Sequence, residues 1–166
     1  RILHLPNPID MPIQSFGDLP RKRTILAVGR LSKQKGYDLL IHAYANCKCR
    51  LDGWNLVIVG DGEDRYYLNR IIQDLELSSS IELRSPTKTL WEELGDSSLF
   101  VMPSRFEGMP NALLEAIAKG LVPLVSDGVG DLANAISAVD PRLIFPSNTR
   151  SQLTKSLDWL TLEQID

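Results

Sequence analysis

Two stretches of this chain end alike: "TILAVG" (24–29) and "WNLVIVG" (54–60) are nearly continuous apolar runs, each closed by a glycine. After a polar loop, each is followed by apolar residues at helical steps. In "GYDLLIHAYANC" (36–47) these are Leu39, Leu40, Ala43 and Tyr44, and in "EDRYYLNRIIQDLEL" (63–77) they are Tyr67, Leu68, Ile71, Ile72 and Leu75. The alternation continues. Strands are expected at 80–85, 98–104, 122–127 and 143–146, and helices at 89–97, 110–120, 130–139 and 149–160. A strand that is apolar on both faces cannot turn one face to water, so it belongs in a parallel sheet covered by helices on both sides. The expected fold class is therefore α/β, an open, doubly wound, Rossmann-like sheet.

With 166 residues, 43% of them hydrophobic, the chain can fill one such core. A net charge of -3 gives no footprint for nucleic acid. The basic cluster Arg21–Arg23 reads as a solvated lead-in to the first strand. Cys47 and Cys49, one residue apart, fit neither a zinc knuckle nor a redox pair; two thiols without a disulfide framework suggest a reducing compartment. The longest apolar runs fall far short of a membrane span. The opening "RILHLPNPID" reads as the middle of a longer gene, so residues 1–20, with the proline-punctuated "PIDMPIQSFGDLP" (8–20), are expected to be a linker and lead-in. Residues 21–166 would be the folded domain.

In open α/β sheets ligands bind outside the carboxyl ends of the strands. The loops gathered there are "GRLSKQKG" (29–36), "GDGED" (60–64), "SPTKT" (85–89), "PSRFEGMPN" (103–111) and "SDGVGD" (126–131). Arg30, Lys33 and Lys35 suit a diphosphate, and equally suit a solvated basic loop. The first loop is not a P-loop. The second lacks the third glycine of a dinucleotide fingerprint, since Arg65 stands there, so hydride transfer is disfavoured.

"FEGMPNALLEAIAKG" (106–120) carries the most chemistry. Pro110 suits the first position of a helix, Gly108 allows close backbone approach, and the N–H groups of Met109, Asn111 and Ala112 would point out of the helix start as an anion site. Leu113 and Ile117 mark the buried side, with Asn111, Glu115 and Lys119 opposite. Glu115 has two readings: an i,i+4 ion pair with Lys119, or a carboxylate accepting from ribose hydroxyls one turn beyond the phosphate site. Glu107 would lie on the reactive side of that phosphate.

These segments resemble retaining glycosyltransferases of family 4. "FEGMPNALLE" is similar to their E-x7-E signature, "LPNPID" to P-N-G-[IV]-D, "ILAVGRLSKQKGYDLLIHAY" to their F-V-G-R-L-x-x-x-K-G-x-D stretch, and "LVIVGDGED" to L-x-I-V-G-D-G-P. The resemblance covers nearly the whole chain in order. It implies the carboxyl-terminal, nucleotide-sugar-binding domain of a GT-B enzyme, whose amino-terminal domain would lie outside this chain. It also implies roles. Arg30 and Lys35 would hold the donor diphosphate, with backbone around Gly108, Met109, Pro110 and Asn111 on its distal phosphate. Glu115 would bind ribose, Glu107 would face the transferred sugar as the catalytic residue, and Ser85, Pro86 and Thr87 would lie near the nucleobase. No metal or other cofactor is expected, because cations and a helix dipole would stabilise the leaving diphosphate. The implied partners are a nucleotide-sugar, the protein's own amino-terminal domain and a glycan or lipid acceptor. A cytoplasmic location is expected, with any membrane contact left to the absent domain.

The chain departs from the family in three places. Pro8 replaces a glycine, the loop after Gly128 and Gly130 has Asp131, Leu132 and Ala133 where a glutamate is usual, and "RSPTKT" lacks the common F-x-G. Two alternatives stay open: a non-catalytic nucleotide-binding module, and another GT-B enzyme such as an epimerase or phosphorylase.

Overall fold

The computed structural model describes residues 21–163; the expected linker at 1–20 and the last three residues lie outside the described part. Strands and helices alternate as β1 (Lys22–Val28), α1 (Tyr37–Ala45), β2 (Asn55–Val59), α2 (Arg65–Asp74), β3 (Ile81–Arg84), α3 (Leu90–Leu94), β4 (Ser97–Met102), α4 (Asn111–Ala118), β5 (Val122–Ser126), α5 (Asp131–Val139), β6 (Ile144–Phe145) and α6 (Arg150–Glu163). All six strands are parallel, in the order β3-β2-β1-β4-β5-β6. The chain steps outward one way from β1 to β3, returns to the centre at β4 and steps outward the other way. Because crossovers between parallel strands are right-handed, the two halves lay their helices on opposite faces. The fold is the doubly wound, Rossmann-like sheet with helices on both sides.

The central strands are the most apolar because both their faces are covered. Every residue of β4 is buried, as are Ile25, Leu26 and Ala27 of β1 and Leu56 to Val59 of β2. α6 closes the core with Leu153, Leu157 and Leu160, spaced to lie along one side of the helix, and packs against α1.

Four local expectations are corrected. Tyr67, assigned to the buried stripe of α2, is 54% exposed, because α2 buries Leu68, Ile71 and Ile72 and turns the tyrosine outward. Ile117 likewise lies outside the core: α4 seats Leu113 and Ala116 on the sheet instead. Arg21 is no solvated lead-in. Its guanidinium donates to Ser97 O at 2.8 Å and Lys119 O at 2.9 Å, tying the start of β4 to the end of α4. Cys47 and Cys49 are joined as a disulfide, since the 3-10 turn Lys48–Asp52 that follows Cys47 folds the two side chains together. No helix among the described residues is long and apolar enough to cross a membrane.

Candidate functional site

The strand order reverses between β1 and β4, so the loops leaving these neighbours run apart and open a crevice at their carboxyl ends. Loop 29–36 forms one wall and loop 103–111 the other. They are tied at their base. Arg105 N donates to Gln34 O at 2.7 Å, Gln34 Nε2 donates to Phe106 O at 2.9 Å, and the Arg105 fork donates to both carboxylate oxygens of Asp38, at 3.2 and 3.1 Å. Gly36 makes the join possible. It has φ 69°, in the left-handed region, and a Cβ there would lie 2.2 Å from Pro103 O.

The two walls meet chemically at Glu107. Its Oε1 accepts from Lys35 Nζ at 2.5 Å and from Ser104 Oγ at 2.6 Å. The two side chains are only 7% (Glu107) and 19% (Lys35) exposed, so the pair is largely withdrawn from water. Glu107 N donates to Gly128 O at 2.9 Å, which packs the loop after β5 against the same residue. Gly128 suits that contact, because a Cβ would fall 2.5 Å from Arg105 O. The arrangement is a carboxylate held by an ammonium and a hydroxyl at the crevice floor, with the ammonium able to share itself with a second anion.

α4 begins one residue later than expected. Pro110 caps it rather than opening it, and the proline carbonyl accepts from Leu113 N at 3.0 Å. The expected row of outward N–H groups is shortened, since Asn111 N donates to Met109 O at 3.1 Å. Gly108 is exposed with open space on its Cβ side, Met109 is half-buried, Pro110 is buried and Asn111 is exposed. Glu115 is held by a group outside both readings: Oε2 accepts from Trp91 Nε1 of α3 at 2.9 Å. Among the described residues no ion pair joins it to Lys119.

Arg30 stands apart from Lys35 and Glu107. It is exposed and its guanidinium lies 3.5 Å from Glu63. Gly60 and Gly62 serve packing: a Cβ on Gly60 would fall 1.9 Å from Gly29 O, and Leu31 N donates to Asp61 O at 2.8 Å. Ser85, Pro86 and Thr87 form an exposed loop after β3, with Thr87 Oγ1 donating to Glu93 Oε1 at 3.3 Å. No cluster of three or more metal-ligating side chains occurs among the described residues. Arg105 and Trp91 were missed from sequence because each acts on a partner distant along the chain, and Ser104 was missed although its partner Glu107 is only three residues on. Only Ser104 carried a signal, its place beside Pro103 at the end of an apolar strand.

The family model for Glycosyl transferases group 1 matches residues 13–166. The chain belongs to this family. It is 31% identical over 164 residues to an uncharacterized glycosyltransferase of Haemophilus influenzae, covering 96% of the chain and 45% of that protein. It is 40% identical over 96 residues to the amylovoran biosynthesis glycosyltransferase AmsD of Erwinia amylovora, covering 58% of the chain and 27% of that protein. The group 1 chain thus spans less than half of either relative. Among solved structures, it matches the catalytic domain of cholesterol-alpha-glucosyltransferase from Helicobacter pylori with a TM-score of 0.70 and 27% identity, over 86% of this chain and 90% of that one. It matches TarM of S. aureus, solved with UDP, with a TM-score of 0.81 and 19% identity, over 93% of this chain and 32% of that one; here the likeness is one of fold.

Proposed function

We infer that this chain is the donor-binding domain of a retaining, metal-independent glycosyltransferase of family 4, acting with an amino-terminal domain that completes the crevice. The observation that carries this reading is the pairing of β1 with β4, which brings Lys35 and Glu107 to 2.5 Å across the switch point. A diphosphate entering there meets Lys35 from one wall. From the other it meets the start of α4, where the helix dipole favours negative charge. Arg30, exposed at the rim, would swing from Glu63 to the same phosphates. As charge builds on the leaving diphosphate, Lys35 would stabilise it without a metal ion. Glu107, held by Ser104, would face the transferred sugar. Glu115, oriented by Trp91, would accept from the ribose hydroxyls through its other oxygen. The base would then lie towards Ser85, Pro86 and Thr87. UDP is the first nucleotide to test, since TarM and a HepE protein of Anabaena were both solved with it.

The test is calorimetric titration of UDP, GDP and ADP into the chain, repeated with Glu115→Ala. Binding of one nucleotide, weakened about 10-fold or more by the substitution, is the expected result. Absence of binding in both this chain and the full-length protein would overturn the donor reading.

A further inference from the structure

Tyr37 opens α1 directly after Gly36 and is 3% exposed. A buried phenol ordinarily gives its hydroxyl a hydrogen-bond partner. This hydroxyl has none among the described residues. The fully enclosed side-chain atoms lacking a partner there are Asp96 Oδ1 and Ser97 Oγ, so the Tyr37 hydroxyl ends at the surface and not in the core. Gly29 shows where it emerges. A Cβ on that glycine would lie 2.7 Å from the hydroxyl and 3.4 Å from Lys35 Cε, at the carboxyl end of β1 and the floor of the crevice. Burial, with the Glu107 charge adding to it, pushes the phenol well above its usual range. The group therefore keeps its proton and can act as a neutral donor.

We propose that Tyr37 is a further binding residue of the crevice, donating from its hydroxyl to an acceptor oxygen at the diphosphate–sugar junction of a nucleotide-sugar. The assignment rests on the donor reading above and adds a contact to it. Lys35 addresses phosphate charge and Glu107 addresses sugar hydroxyls. A neutral donor beside both supplies what neither can, a contact to an uncharged or bridging oxygen. It also gives a partner to a hydroxyl that has none among the described residues.

The experiment compares the full-length protein with its Tyr37→Phe variant, titrating UMP, UDP and UDP-glucose (or the guanosine or adenosine series, if that base is the one bound), with thermal unfolding in parallel. The expected result is unchanged or higher Tm, unchanged monophosphate affinity, and an affinity about 5–20-fold weaker towards ligands that reach the junction. Weakening shared by UDP and UDP-glucose assigns a phosphate oxygen; weakening of UDP-glucose alone assigns a sugar oxygen. Affinities within twofold of wild type for all three would overturn the proposal. So would a parallel loss of all three with a lowered Tm, which would make the hydroxyl structural. A wild-type protein that binds no nucleotide overturns the donor reading itself, and this assignment with it, before any variant is measured.

Discussion

Replacing Gly36 with alanine tests whether the crevice is built as described. The new Cβ would sit 2.2 Å from Pro103 O, where ordinary contact begins near 3.4 Å, so one of the two loops must move by about an ångström. Gly36 also holds φ 69°, and an L-residue held there costs about 1–2 kcal/mol. Forced overlap in a packed join adds about 1–3 kcal/mol. A domain of this size loses about 2–4 °C of Tm per kcal/mol, so Gly36→Ala is expected to melt about 5–15 °C lower by circular dichroism. The displaced loop carries Ser104 and Glu107, so nucleotide affinity measured well below the lowered Tm is expected to fall as well. A variant melting within about 2 °C of wild type would refute the close approach of these two loops.

Three further outcomes are expected. Trp91→Phe keeps an aromatic side chain but removes the donor to Glu115 Oε2; nucleotide affinity should fall about 3–10-fold by calorimetry with the fold intact, and no change would separate Glu115 from the ribose. Arg21→Ala frees the carbonyls of Ser97 and Lys119, which should lower stability to denaturant by about 1.5–3 kcal/mol, with Arg21→Lys recovering only part because a point charge cannot bridge both. Tyr37 has a folded pKa raised above its unfolded value near 10, so its contribution is intact below pH 10 and is lost as pH rises beyond it, when the unfolded chain ionises first. Denaturant midpoints from pH 8 to 11 should therefore fall less steeply in Tyr37→Phe; equal slopes would place the hydroxyl in ordinary solvent.

Much of the fold was legible because the signals are local. An apolar run closed by glycine, then a helical stripe, recurs often enough to specify a parallel α/β sheet, and each strand lies within two residues of its expected ends. Exposed and buried positions at the edges of helical stripes were less legible. Tyr67 and Ile117 have the right spacing, but the contact patch of α2 and of α4 is narrower than the apolar stripe. The partner that holds Glu115 was not legible for another reason. Its partner, Trp91, lies 24 residues away on α3, and nothing in "TLWEELGDS" marks a side chain that will reach α4.

The sequence by itself determined the layered α/β class, the loops at which ligands would gather and the acids and cations they carry, since these follow from periodicity and residue type within short windows. Only the tertiary structure decided which of those residues share a site. Lys35 and Glu107 are 72 residues apart, and they meet because β1 pairs with β4 while the intervening β2 and β3 are laid down on its other side. That pairing is a competition among whole strands for neighbours, settled by burial across the entire sheet, and no short stretch of chain contains its outcome.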